Sequence, residues 1–126
     1  MGKKKNNDYN CRLSNEIYRR ITIVKNDGSK KYARLIRDKG FLIRYGGRDI
    51  GLVETQGSWI AIDIKTGVRI EHTKYKRRGN LINYLKKRVN EWQSYIKNNR
   101  AKFNDLENTL KRLQDLYDYG KQARMQ

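Results

Sequence analysis

The chain has 126 residues, of which 30 are Lys or Arg and 13 are Asp or Glu, for a formal charge of +17. That length holds one domain with a modest core, and the charge points to a polyanionic partner, nucleic acid ahead of an acidic protein or an anionic membrane surface. One cysteine (Cys11) and one histidine (His72) exclude an internal disulfide framework and a Cys- or His-rich metal site, and no apolar run makes a signal peptide or approaches the roughly 20 residues of a membrane span, so the expected residence is cytoplasmic.

Taken in order, residues 1–16 begin as MGKKKNNDYN, polar, charged and without periodicity, and are expected to be a basic, disordered arm. Residues 17–24, IYRRITIV, alternate well enough for a strand, and Asn26-Asp27-Gly28-Ser29 is a turn. Residues 30–37, KKYARLIR, read as a strand that closes a hairpin with 17–24, or as a short helix stopped by Gly40; we prefer the strand, because Asp-Gly turns between apolar runs usually join strands. FLIRY at 41–45 is β-prone, Gly46-Gly47 breaks it, and 48–53 form a weaker strand. Ile60, Ile62 and Ile64 then alternate with Trp59, Ala61, Asp63 and Lys65, and Asp63 and Lys65 are expected to share the outward face and pair across an exposed turn. Lys65-Thr66-Gly67 supplies a turn, and Val68-Arg69-Ile70 returns as a second strand.

From Asn80 the period changes to 3.6. Leu81, Leu85, Val89, Trp92 and Ile96 fall on one helical face. A second helix, about Ala101 to Tyr119, carries Phe103, Leu106, Leu110, Leu113 and Tyr117 as an a/d seam, with Gly120 as its stop. The two helices read as an antiparallel hairpin joined at Asn98-Asn99-Arg100. One continuous dimerising helix and docking of the second helix on the sheet are the alternatives. The expected fold is α+β: a single domain over 17–126, with a small twisted antiparallel β-sheet over about 17–73 and a C-terminal two-helix hairpin over about 79–119.

Charge is uneven along the chain. Residues 1–50 carry 14 basic and 5 acidic residues, residues 51–100 carry 11 and 4, and residues 101–126 carry 5 and 4. The expected contacts with nucleic acid are Lys74, Tyr75, Lys76, Arg77, Arg78, Lys86, Lys87 and Arg88, with Arg19, Arg20, Lys30 and Lys31 from the early strands. Many cations on one face are what phosphate binding needs, since each neutralised phosphate releases counterions. Nothing in the sequence separates RNA from DNA. The near-neutral helix Phe103–Tyr117 is expected to serve packing, a partner or a second copy.

Two resemblances add to this reading. The run YARLIRDKGFLIRYGGRDIGLVETQGSWIAIDIK, residues 32–65, resembles the core of PD-(D/E)xK nucleases, notably the small Holliday-junction resolvases. The resemblance implies Asp49 and Asp63 as Mg²⁺ ligands and Lys65 as the residue that orients the attacking water. Arg48 stands where that family usually has Pro, and residues 17–24 are β-prone where it has a helix. Residues 59–85, with Trp59, Asp63, Thr66, Gly67 and Ile70 ahead of a basic segment and a helix, look like a module of small proteins from phages and mobile elements, some anti-CRISPR proteins among them. That likeness implies only a small phage-type accessory protein; with the +17 charge, such a protein is expected to bind nucleic acid and to regulate or inhibit a nucleic-acid machine such as a CRISPR effector. The expectation is therefore non-catalytic binding without cofactor or metal, with a Mg²⁺-dependent nuclease and a structural protein of a nucleoprotein assembly as the alternatives.

Overall fold

The structure is a computed structural model that describes residues 12–24, 28, 31–70 and 73–125, without the side chains of 22–24, 31–33 and 120–125. Four strands, β1 (Arg12–Val24), β2 (Lys31–Tyr45), β3 (Arg48–Thr55) and β4 (Ser58–Asp63), form an antiparallel sheet in the order of the chain. Two helices follow, α1 (Arg78–Asn98) and α2 (Arg100–Met125). The architecture is α+β, and the change of period at Asn80 marks the passage from sheet to helix.

Tight turns set the register. Gly46 and Gly47 both take positive φ (57° and 77°), and so do Gln56 and Gly57 (52° and 78°). Two consecutive left-handed residues match the twist of the strands they join, so each pair closes a hairpin in two residues, Tyr45 facing Arg48 and Thr55 facing Ser58. Residues 31–38 are strand, paired with β1 from Val24↔Lys31 to Ile17↔Asp38. The arm expected over 1–16 does not hold at 12–16, which belong to β1. Residues 1–11, Cys11 among them, lie outside the described residues.

A register shift between Ser14 and Ile17 bends β1, and Gly40 sits opposite the bend. The bend carries Ile17 across one face of the sheet onto Val53, Ile60 and Ile62. Gly51 leaves the room for it: a Cβ there would stand 2.8 Å from Ile17 Cγ2 and 3.1 Å from Ile64 Cδ1. The other face carries Ile43, Tyr45, Ile50, Leu52 and Ala61, and α1 covers it with Leu81 and Leu85. Both faces of this small sheet are therefore covered.

The expected strand at Val68–Ile70 is reduced to a bridge. β4 ends at Asp63, Gly67 turns at φ 71°, and the returning chain pairs only as Ile62↔Arg69 and then Trp59↔Tyr75. Between these bridges Thr73 substitutes for backbone. Its hydroxyl accepts from the Ala61 N–H at 3.1 Å and donates to the Ile70 carbonyl at 2.6 Å. The turn also holds β1, through a 2.7 Å bond from the Arg20 N–H to the Gly67 carbonyl.

The helices break at Asn99, whose φ and ψ of −126° and 40° are non-helical and whose Nδ2 donates to the Tyr95 carbonyl. Phe103 then packs edge-on against Trp92 and Tyr95, each 5.7 Å between centroids. Farther along, α2 lies against the sheet side of the molecule: Arg20 donates to the Leu106 carbonyl at 2.8 Å and Tyr117 meets Tyr18 edge-on at 5.6 Å. Burial of Tyr18, with Asp118 and Glu16 nearby, raises its phenol pKa. The expected stop at Gly120 does not hold, and α2 runs on to Met125. A glycine inside a helix costs only about 1 kcal/mol, and without proline beyond it the chain keeps turning. No described helix is long and apolar enough to cross a membrane.

Candidate nucleic-acid interface

The approach to α1 is the densest basic segment, and the fold clips it to the sheet edge. Trp59 and Tyr75 exchange backbone hydrogen bonds of 2.5 and 3.0 Å. Cross-strand partners share a face, so Tyr75 turns inward, half-buried, with its ring 5.6 Å from that of Tyr84. Its neighbours Lys74 and Lys76 are exposed, as strand alternation requires. Arg77 is the N-cap of α1, extended and exposed. Arg78 is held differently. Its guanidinium lies 3.9 Å from the centre of the Phe41 ring and 5.7 Å from that of Trp59, which joins the helix start to β2 and β4.

Helical geometry splits the triplet Lys86-Lys87-Arg88. Lys86 and Lys87 belong to the exposed outward face of α1, with Asn83, Asn90, Ser94 and Lys97. Every residue on that face is a hydrogen-bonding or cationic type, and none is acidic. Arg88 turns to the opposite flank, where it donates to both oxygens of Glu91 at 2.8 and 2.9 Å and lies over Tyr84. The hydrogen bonds to Glu91 and its charge raise the Arg88 pKa. From Lys74 to Asn90 the chain contains no Asp or Glu. The first turn of α1 is free of acid as well, so the positive end of the helix dipole adds to these cations.

Of the early-strand candidates, Arg19 and Arg20 make contacts within the fold. Arg19 pairs with Asp38 at 2.8 Å, both largely covered. Arg20 reaches α2 as described, and burial lowers its pKa. Its Nε is buried without a hydrogen-bond partner among the described residues. Lys30 and His72 lie outside the described residues, as does the side chain of Lys31.

The three residues singled out by the nuclease resemblance are not brought together. Asp49 and Asp63 project from opposite faces of the sheet, because Asp63 is the cross-strand partner of Ile50, the neighbour of Asp49. Asp49 is exposed and pairs with Arg44 at 2.8 Å. Asp63 is 0 % exposed. Both its oxygens accept from Arg48, at 2.6 and 2.8 Å, and Oδ2 also accepts from the Thr66 hydroxyl at 2.7 Å. The expected outward pairing of Asp63 with Lys65 is thus replaced by a buried ion pair, while Lys65 is exposed. Among the described residues no group of three or more His, Cys, Asp or Glu side chains is placed to hold a metal ion.

In sequence Arg48 stands out only as a basic strand residue at the position where the nuclease family usually has Pro, yet it is the hub here. It joins β3 to β4 through Asp63, and it reaches α2 through Glu107 at 3.8 Å and the Phe103 ring at 5.9 Å. Burial lowers its pKa, but the hydrogen bonds and charge of Asp63, with Glu107, outweigh that and leave it raised. The signal available in the sequence was alternation: Arg48 shares its face with Ile50 and Leu52, as Asp63 does with Ala61.

The α2 seam turns inward, with Phe103 and Leu110 buried. Leu116 and Tyr119 remain exposed at 67 % and 72 %. Comparison of the chain with protein-family models, curated proteins and solved structures gives no match.

Proposed function

We propose that the protein is a non-catalytic nucleic-acid-binding protein that engages its partner through the outward face of α1 and the clipped segment before it. One observation carries this reading. Lys74, Lys76, Arg77, Lys86 and Lys87 are exposed on α1 and its approach in a stretch free of acid as far as Asn90, and Lys97 is exposed farther along α1. Cations arranged in this way capture phosphates and release counterions. The Asn, Ser and Lys side chains between them offer donors and acceptors to base edges. A helix of about 10–12 Å diameter also matches the roughly 12 Å width of the B-DNA major groove. A-form RNA would be met across its wide minor groove.

The resemblance of residues 59–85 to phage and mobile-element modules extends the proposal. A cytoplasmic protein of this kind would act as an accessory that regulates or inhibits a nucleic-acid machine, a CRISPR effector being one candidate, by occupying the nucleic acid that the machine needs.

The test is a fluorescence-anisotropy titration of labelled duplex DNA and structured RNA of equal length across a salt series. Binding that persists at physiological salt, with log K falling linearly against log salt, is the expected result. Preference for DNA supports docking of α1 in the groove, and preference for RNA supports a shaped RNA site. Absence of binding to either at physiological salt would overturn the proposal.

A further inference from the structure

A cleft of about 370 Å³ opens on the flank of α1 opposite the Lys86–Lys87 face, between α1, α2 and the returning segment Val68–Ile70. This lies in the range of about 300–1,000 Å³ usual for small-ligand sites. Its apolar walls are largely aromatic. Tyr84, Trp92 and Tyr95 come from α1 and Phe103 from α2. Trp92 and Tyr95 are stacked, 5.8 Å apart at 28°, and Tyr95 is 38 % exposed. Three cations border the same space: Arg69, Arg88 and Lys102. Lys102 is held in place by the Tyr95 hydroxyl at 3.0 Å and lies over the Tyr95 ring. Among the described residues that line it, the one carboxylate is that of Glu91, paired with Arg88. The wall also contains an unsatisfied donor, since the Trp92 indole N–H is buried with no acceptor among the described residues.

We infer that this cleft takes one unpaired nucleotide of a single strand, with its base against the aromatic walls and its phosphate on the surrounding cations. The inference rests on the nucleic-acid reading above and gives it a second site. Each component has a matching part in a nucleotide. Any base presents a π face for the rings, and stacking of this kind tolerates all four bases. The phosphate answers the excess of cations over carboxylates. Glu91 can accept from an exocyclic amino group, as carboxylates do from cytosine N4. A duplex offers the phosphates but keeps its bases stacked, so the cleft selects unpaired segments.

The chain has two tryptophans, so Trp59→Phe leaves Trp92 as the sole reporter of the cleft. Four probes are titrated against this variant: a mixed-sequence single-stranded oligonucleotide, adenosine monophosphate, a fully paired duplex and tripolyphosphate. The expected result is saturable quenching by the single strand, weaker quenching by the mononucleotide, and little by duplex or tripolyphosphate. Tyr95→Ala, in the same background and checked for an unchanged unfolding midpoint, weakens single-strand binding by roughly 5- to 150-fold, the range for loss of one stacking platform. Should Tyr95→Ala perturb the fold, the surface change Lys102→Glu serves, with weaker single-strand binding again expected.

Equal quenching by tripolyphosphate, or none by any probe, overturns the inference. Mononucleotide binding as tight as that of the strand also overturns it, by making the cleft a free-nucleotide site. Anisotropy of the labelled duplex, recorded on the same protein, separates the two readings. Duplex binding without single-strand quenching removes the cleft alone, whereas loss of all nucleic-acid binding removes both.

Discussion

Replacing Asp63 with alanine is expected to lower the unfolding free energy by about 3–5 kcal/mol, the cost of leaving one partner of a buried ion pair alone. The Arg48 side chain is 11 % exposed and, among the described residues, would retain only Glu107, at 3.8 Å, as a carboxylate partner. Thr66 would lose the acceptor of its hydroxyl at the same time. Chemical denaturation with circular dichroism measures the change, and a loss below about 1 kcal/mol would show that Arg48 finds water or another partner. Replacing both residues together, Arg48→Met with Asp63→Leu, is expected to recover much of the loss, because apolar substitutes avoid the desolvation that the pair suffers. The same geometry bears on any nuclease assay. Lost activity in an Asp63 variant would report unfolding as readily as lost chemistry, whereas exposed Lys65→Ala tests the catalytic assignment without disturbing the core.

The second large effect concerns the cations. Changing Lys74, Lys76, Lys86 and Lys87 together to alanine is expected to reduce the magnitude of the salt slope for duplex DNA by about 3.6, at roughly 0.9 per phosphate contact. Carried to physiological salt, that slope change corresponds to an affinity loss on the order of 10³. All four side chains are exposed, so the unfolding midpoint should stay within the small range typical of surface substitutions. Arg78 is left out of the set deliberately. Its stacking on Phe41 and Trp59 makes Arg78→Ala a packing change as well as a charge change, so its effect on binding could not be read cleanly. An unchanged slope in the quadruple variant would move the interface away from α1.

Much of the fold was legible because its signals are local. The apolar stripe Leu81–Ile96 and the seam Phe103–Tyr117 need only the helical period, and Gly46-Gly47 and Gly67 need only their permissive φ. The failures have a common physical source, which is that alternation shows two faces without showing what covers each. Asp63 was expected on a solvated face with Lys65, but only Lys65 is exposed: α1 covers one side of the sheet and the bent β1 brings Ile17 onto the other. No local pattern announces that bend. Arg19 and Arg20 are hard to read for the same reason: a cation in a strand looks alike whether it meets a phosphate, Asp38 or a helix carbonyl. Within the candidate site, the sequence placed the basic residues but could not separate those that face solvent from those that hold rings. The helical period already turns Arg88 away from Lys86, but only the packing of α2 shows that it borders an aromatic cleft.

The central claim is that nucleic acid lies on the outward face of α1 and its approach. Amine-labelling footprinting read by mass spectrometry, with and without bound duplex, tests it most directly. The account predicts that Lys74, Lys76, Lys86 and Lys87 become protected while Lys111, exposed on α2, labels as before. Uniform protection, or protection of Lys111 with the α1 lysines still reactive, would contradict it.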